Sequence, residues 1–501
     1  MSCRELGTRW LLLLGSLLGS GLAVQADDRT IPRTWDEEAL ATMELPHPSL
    51  GSPPTAISSE YYYRIPAREI YRQYPVYAPD REPAGYLDWL AQQEPEIVFD
   101  ASTLHSDEDW IRAGKLAFEA PIVYNAVLTL EVIRSPAFYE DVKPALTKEG
   151  VLPFFSYVVR KKGVIDVGEA SCAMCHIRVM PDGTIVEGAQ GTFQDGGVQA
   201  HRLRRVGLDE RGRSLWRMLY GAPWIDPDPA AFAATFSAEE LAAHFDRIPA
   251  GVLARFGTSL DSPVQIPDLI GVKDRKFLDR TGLVQHRSIG DMMRYGALNQ
   301  GVARLTSFNG WVPATERTAD RQLPDPASLT RYSDEQLYAL SMFIYSLEPP
   351  ANPNPFDDRA ARGKMVFERE KCATCHTPPL YTNNRLTVAE GFAPPDDHYK
   401  HYSILDVEVG TDPTLTMKTR RGTGYYKVPS LKGVWYRGPF EHSGSVATLE
   451  DWFNPHRLDD DYVPTGFRGQ NVEHRAVKGH VFGLSLSAED KAALIAFLRT
   501  L

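Results

Sequence analysis

The sequence predicts a mainly α-helical protein made of two related domains in tandem, preceded by an irregular arm. Three observations carry that expectation: two copies of Cys-x-x-Cys-His, a helix-type apolar spacing that closes each half, and a proline-rich break between the halves. With 501 residues, 43% hydrophobic and 24% charged, the chain has material for two or more cores.

At the start, Arg4 and Arg9 precede an apolar run from Trp10 to Val24, and "AVQADD" supplies small residues for a cut after Ala26. Residues 1–26 thus read as a secretory signal peptide, with an uncleaved anchor as the alternative. No other stretch is apolar enough to cross a bilayer, so the mature chain is expected to be periplasmic or secreted, without a membrane span. Residues 27–100 are rich in Tyr and Pro, with little periodicity ("EYYYRIPAREIYRQYPVYAPDREP"), and read as an extended arm wrapped on the body. A first domain follows over 101–347, with a long insertion at 177–265. "EPPANPNPFDD" at 348–358 is a linker whose prolines stop any helix, and 359–501 form the second domain.

The two halves repeat each other. "SDEQLYALSMFIYSL" (333–347) and "SAEDKAALIAFLRTL" (487–501) each open on a serine able to cap a helix, with an amide or acid three residues on. Leu340, Phe343, Ile344 and Leu347 then match Leu494, Phe497, Leu498 and Leu501, one face of a helix in each case. Upstream, "IPDLIGVKDRKFLDRTG" (266–282) aligns with "VPSLKGVWYRGPFEHSG" (428–444), keeping Pro267/Pro429, Leu269/Leu431, Gly271/Gly433, Val272/Val434, Arg275/Arg437 and Gly282/Gly444 in register. Ordered matches of this kind, following two copies of a rare motif, indicate a duplicated domain.

Of five cysteines, Cys3 leaves with the signal, and Cys172, Cys175, Cys372 and Cys375 all lie in the two motifs. A Cys-x-x-Cys-His turn lets two thiols add to the vinyl groups of haem while the next histidine reaches the iron. The rival readings are a four-thiolate zinc site and a redox dithiol. Export, a His after both pairs and the lack of a spare cysteine favour two covalently attached haem c groups, with His176 and His376 as proximal ligands. Gly363 and Phe367, one turn apart before the second motif, suit a helix that crosses closely over the terminal helix at Phe497 and Leu498. The halves then read as two cytochrome c-like haem domains.

"KVPSLKGVWYRGPFEHSGSVATLEDWF", followed by "LSAEDKAALIAFLRTL", resembles the C-terminal half of the bacterial dihaem cytochrome c peroxidases, the superfamily that includes MauG. The resemblance covers 357–501 well, about 160–350 less closely and 27–150 not at all. The wide spacing of the motifs is similar to that of the dihaem rubber oxygenases. The resemblance implies that the second haem takes electrons from a small redox protein or other donor and passes them to the first, where peroxide is reduced. A sixth ligand for the second haem is expected shortly before the last helix. His480 stands there in "KGHVFGLSLSAED", with His456 as runner-up and Met417 third. Bis-histidine ligation lowers the potential relative to His/Met. His442 matches a family histidine that hydrogen-bonds near this haem. Calcium, held between the domains in many members, would be expected at carbonyls near Arg437 and Pro439.

For the first haem, no histidine falls between His176 and His201. Either His201 or His286 moves in, or the iron keeps an open face for peroxide or dioxygen. Peroxide cleavage needs a base and a cation or donor for the leaving oxygen. Arg280, which aligns with His442, together with His286, Asp291 and Arg287, supplies candidates, with a solvated helix start capped by Ser288 as the alternative. Leu278 stands where the family has an inter-haem tryptophan, and Met292 and Met293 read as core. Two other functions fit the same motifs: a dioxygen-dependent oxygenase of an apolar substrate and a non-enzymatic electron carrier. With 54 basic against 65 acidic residues, net −11, the balance argues against nucleic acid as a partner; a basic redox partner fits it, and plain solubility explains it as well.

Overall fold

The computed structural model describes residues 29–45, 54–315, 317–318 and 323–501, so the signal segment 1–26 lies outside the described residues. Helix accounts for 36% and strand for 13%, in keeping with a mainly α protein that also carries small sheets.

Two helix pairs form the centres of the halves. In the first, the Asp107–Glu119 helix crosses the Asp334–Ser346 helix. In the second, Asp358–Arg369 crosses Ala488–Arg499. Each crossing turns on a glycine. A Cβ on Gly114 would lie 2.0 Å from the Ala339 carbonyl oxygen, and one on Gly363 would lie 1.9 Å from that of Ala493. One turn on, Phe118 meets Phe343 at 5.1 Å between ring centroids and Phe367 meets Phe497 at 5.4 Å. The helix starts are alike as well. Ser333 accepts the Gln336 N–H at 3.2 Å, and Ser487 accepts the Asp490 N–H at 3.1 Å.

The aligned segments 266–282 and 428–444 share local structure. Gly271 and Gly433 have φ of +71° and +74°, and Gly282 and Gly444 have +65° and +73°, a region open to glycine at little cost. The Arg275 guanidinium donates to the carbonyls of Asp268 and Ile270, and that of Arg437 donates to those of Ser430 and Lys432, the aligned positions.

Residues 27–100 differ from the expected irregular arm. Gln73–Tyr77 is a strand, and Glu37–Ala41, Ser59–Arg64 and Tyr86–Ala91 are short helices. The strand forms one edge of a four-stranded sheet, pairing with Val151–Lys161, which pairs in turn with Val164–Glu169 and through it with Val123–Tyr124. Pro75 is tolerated because the strand is an edge and its register slips between Pro75 and Tyr77. The tyrosines are anchors: Trp35 stacks on Tyr62 at 4.5 Å, Arg331 lies over Tyr62, and the Tyr63 hydroxyl donates to Asp334 at 3.0 Å. The arm thereby clamps the start of the Asp334–Ser346 helix.

The 177–265 insertion folds around the Asp195–Val206, Glu210–Tyr220 and Ala238–Phe245 helices. They bury Trp216, Tyr220, Leu241 and Phe245 in a cluster of their own, which Phe467 from the second half completes. Among the described residues, no helix is long and apolar enough to cross a membrane.

Candidate functional site

The hairpin of Val151–Lys161 and Val164–Glu169 delivers the first motif. At its end, the Glu169 carboxylate accepts the N–H groups of Ala126, Val127 and Leu128 at 2.7, 2.9 and 3.2 Å, which fixes where the strand stops. Ser171 then caps the Cys172–His176 helix by accepting the Met174 N–H at 3.0 Å. The second motif follows directly on the Asp358–Arg369 helix. Lys371, at φ +57°, turns the chain into the Cys372–Thr374 turn, and His376 N–H closes on the Cys372 carbonyl at 2.9 Å.

All four thiols are free. Cys172 and Cys372 pack against separate apolar clusters, and no group of three or more His, Cys, Asp or Glu able to hold a metal forms among the described residues. A four-thiolate site is therefore not assembled. Burial pushes the Cys172 and Cys175 thiols up to about 12 and Cys372 to about 11, the opposite of an activated dithiol. The Gln300 side-chain amide donates to Cys172 Sγ at 3.3 Å.

Around the second motif, His376 Nδ1–H is shared between the carbonyls of Tyr381 at 3.2 Å and Pro429 at 3.1 Å. That leaves Nε2 as the lone-pair nitrogen, the usual arrangement of a metal-bound imidazole. The His480 ring faces it with centroids 6.3 Å apart. Two metal–nitrogen bonds of about 2.0–2.1 Å, plus roughly 1 Å from each ring centre to its nitrogen, come to about 6 Å, so the pair fits one iron between them. His480 is held in place by Trp452 at 5.1 Å and Phe482 at 5.3 Å, and its Nδ1 is buried without a partner. Burial holds His376 down to about 4, and burial with the neighbouring His376 holds His480 down to about 3, so both stay neutral and able to ligate. His456 instead projects into solvent, its side chain 79% exposed and paired with Asp459 at 3.0 Å. Met417 closes the short Thr414–Met417 helix, half-buried. His442 stacks on Tyr426 at 4.4 Å, hydrogen-bonds its hydroxyl at 3.2 Å and pairs with Glu441.

Around the first motif the picture differs. Burial, with the Arg255 charge, brings His176 down to about 4, while the backbone of Pro267, the position aligned with Pro429, acts the other way. Among the described residues, no aromatic or histidine ring pairs with it. His201 is turned to Asp141 at 2.8 Å and packs edge-on against Phe138 at 5.6 Å. His286 Nδ1 lies 2.7 Å from the Arg275 carbonyl, and Nε2 takes the Tyr345 hydroxyl at 2.5 Å, so both nitrogens are engaged.

Arg280 and Asp291 line different depressions, and Asp291 acts on His286 by its charge, with no hydrogen bond between them. Asp291 pairs with Arg287 at 2.8 Å and Arg294 at 3.0 Å in a shallow depression beside Asp36 and Thr42. Arg280 reaches the carbonyls of Gln265 and Ile266 at 3.2 and 3.3 Å, in a cleft shared by the two halves. Leu278, Met292 and Met293 are core residues. The carbonyls proposed for calcium already accept donors: Arg178 reaches that of Gly438 at 3.2 Å and the Gln190 amide that of Pro439 at 2.9 Å.

The group that does act on the first motif is Arg255, held by Asn299 at 2.6 Å, Asp279 at 3.1 Å and the Tyr295 hydroxyl at 3.4 Å. Asp279 is shared with Arg421 at 3.2 Å; burial opposes its charge, yet the two guanidiniums keep it well below the carboxylate range. Asp195 lies close enough to act on Cys175, and burial pushes its carboxyl up to about 6. Both Arg255 and Asp195 lie in the insertion, which has no counterpart in the repeat, so alignment of the halves offered no signal for them.

No protein-family model matches the chain. A curated relative, the uncharacterized protein y4iM of Sinorhizobium fredii, is 29% identical over 180 residues, covering 30% of this chain and 41% of that protein. The chain therefore spans less than half the length of that relative. Among solved structures, hydrazine synthase of Kuenenia stuttgartiensis is similar at TM-score 0.30 and 15% identity, over 58% of this chain and 86% of that one. A MauG-like protein associated with microbial copper homeostasis is similar at TM-score 0.22 and 21% identity, over 34% and 56% respectively.

Proposed function

We propose that the protein is a c-type cytochrome carrying two covalent haems, one at each Cys-x-x-Cys-His. Its reaction, on this reading, is the reduction of hydrogen peroxide at the first haem with electrons relayed through the second from a small redox protein. One observation supports the division most: the His480 ring lies 6.3 Å from that of His376, whereas among the described residues no ring pairs with His176. A bis-histidine iron is closed to substrate and suited to electron transfer, and an iron held by one histidine keeps a face for peroxide.

When bound, the haems supply the electrons and the site where the O–O bond is broken. The chain supplies the rest. Peroxide takes two electrons and two protons to give two waters. Arg255, held by Asp279, Tyr295 and Asn299, sets a positive charge near His176 that keeps the imidazole neutral and able to ligate.

The test is turnover by the purified holoprotein. Two haems c per chain and peroxide consumption with a reduced small cytochrome as donor are expected. A Cys172→Ala/Cys175→Ala variant should keep one covalent haem and lose turnover. A two-haem wild type that consumes no peroxide overturns the reading, and product formed from an apolar substrate and dioxygen without donor would replace it with the oxygenase.

A further inference from the structure

Between the halves lies a narrow cleft bounded by Pro267 of the first and Pro429 of the second. Five basic side chains line it: Arg275, Arg280, Arg385, Lys427 and Arg437. Only one carboxylate, Asp268, lines it. That carboxylate already accepts the Tyr436 hydroxyl at 3.0 Å and the Ile270 N–H at 3.0 Å, and stands 3.9 Å from Arg437. Outside the lining, Asp274 acts on Arg275, and Asp279 acts on Arg280 and Lys427 but is itself shared by Arg255 and Arg421.

Carbonyls take most of the hydrogen bonds these cations donate, and Asp268 is the one carboxylate among the lining residues. Lys427 has three donors and one bond, to the Phe277 carbonyl at 3.3 Å. Arg437 Nε is buried with no partner at all. Buried charges are normally paired, and five cations against Asp268 leave the cluster short of anions. Burial, with Arg275 and Arg280 beside it, drives Lys427 well below its ordinary value, and Asp279 offsets only part of that crowding.

The position of the cleft says where the anion comes from. Pro429, on its wall, offers the carbonyl that orients His376. Thr382, Asn384 and Arg385, which follow the second motif, line the same wall. The free volume is about 20 Å³, room for about one water-sized group. We propose that this cleft is an oxyanion site filled by one carboxylate of the haem attached at Cys372 and Cys375. Arg275 and Arg280, from the first half, thereby hold a group carried by the second. The proposal rests on the dihaem reading above.

The experiment is a spectroelectrochemical titration of the two-haem holoprotein against Lys427→Gln and Lys427→Arg. Removing a positive charge beside the carboxylate stabilises the oxidised iron, so Lys427→Gln is expected to shift the second haem's midpoint potential negative, more than the first haem's. Lys427→Arg should restore it. If Lys427→Gln does not fold, Arg385→Gln on the same wall should give the same sign. An unchanged second-haem potential in a variant that retains both haems overturns the proposal. In a second arm, inorganic phosphate is titrated into the wild-type holoprotein by calorimetry, with no binding expected at the cleft. Phosphate binding that Lys427→Gln abolishes would assign the site to a free oxyanion and overturn the haem assignment. A wild type without two covalent haems would instead sink the dihaem reading itself.

Discussion

Replacing His480 with alanine abolishes the six-coordinate low-spin signal of the second haem in essentially every molecule and raises its midpoint potential, with both haems still attached. The ring lies 6.3 Å from His376 and is the only imidazole so placed among the described residues. Its backbone is built for the position. His480 sits at φ +44°, its N–H donates to Val409 at 2.7 Å, and Arg457 donates to its carbonyl at 2.8 Å. Losing an imidazole donor disfavours the ferric state, which sets the sign of the shift. Electronic absorption and redox titration of the purified variant provide the check. A surviving bis-histidine spectrum would move the assignment to His456, which would have to leave its exposed pairing with Asp459.

Gly363→Ala is expected to be the most damaging small substitution in the second half. Its Cβ would lie 1.9 Å from the Ala493 oxygen, 2.5 Å from the carbonyl carbon and 2.8 Å from Phe497 Cβ. None of these atoms can rotate away, so the two helices must separate. Overpacking of this kind costs about 3 kcal/mol or more. At about 2–4 °C per kcal/mol, the melting temperature should fall by of order 10 °C. Gly197→Ala, in the Asp195–Val206 helix, is the control. Its Cβ would meet nothing closer than 3.5 Å, and alanine favours helix, so the melting temperature should hold or rise slightly. Equal melting of Gly363→Ala and wild type would mean that the crossing is not tight.

Much of the architecture was legible in the sequence because it is local or repeated. Ser333 and Ser487 cap the helices that their position announced. The register of 266–282 on 428–444 reappears as matching guanidinium–carbonyl bonds of Arg275 and Arg437. Gly363 and Phe367 meet the terminal helix as their spacing required.

What escaped depended on distant partners. The hairpin 151–169 carries its own signal, since Lys162 and Gly163, the latter at φ +81°, form a two-residue turn between β-branched runs. A reading tuned to helical period passed over it. The strand Gln73–Tyr77 has no strong signal, because its partner lies far along the chain in Val151–Lys161. Polar residues were hardest to place. His286 belongs to Tyr345, 59 residues away, a pairing that no spacing encodes, whereas Asp291 is taken by Arg287 and Arg294 at helical i,i+4 and i,i+3 spacing, a signal the sequence did carry. Arg255 and Asp195 come from an insertion that the repeat does not cover.

The account stands on one contrast, a second haem closed by two histidines and a first haem with a free face. Electron paramagnetic resonance on the oxidised holoprotein, repeated after one electron per two haems, measures it directly. The expected result is one low-spin bis-histidine signal from the second haem and, from the first, a signal that is high-spin at rest or opens on half-reduction. Two low-spin signals that never change would contradict the account and leave the protein an electron carrier.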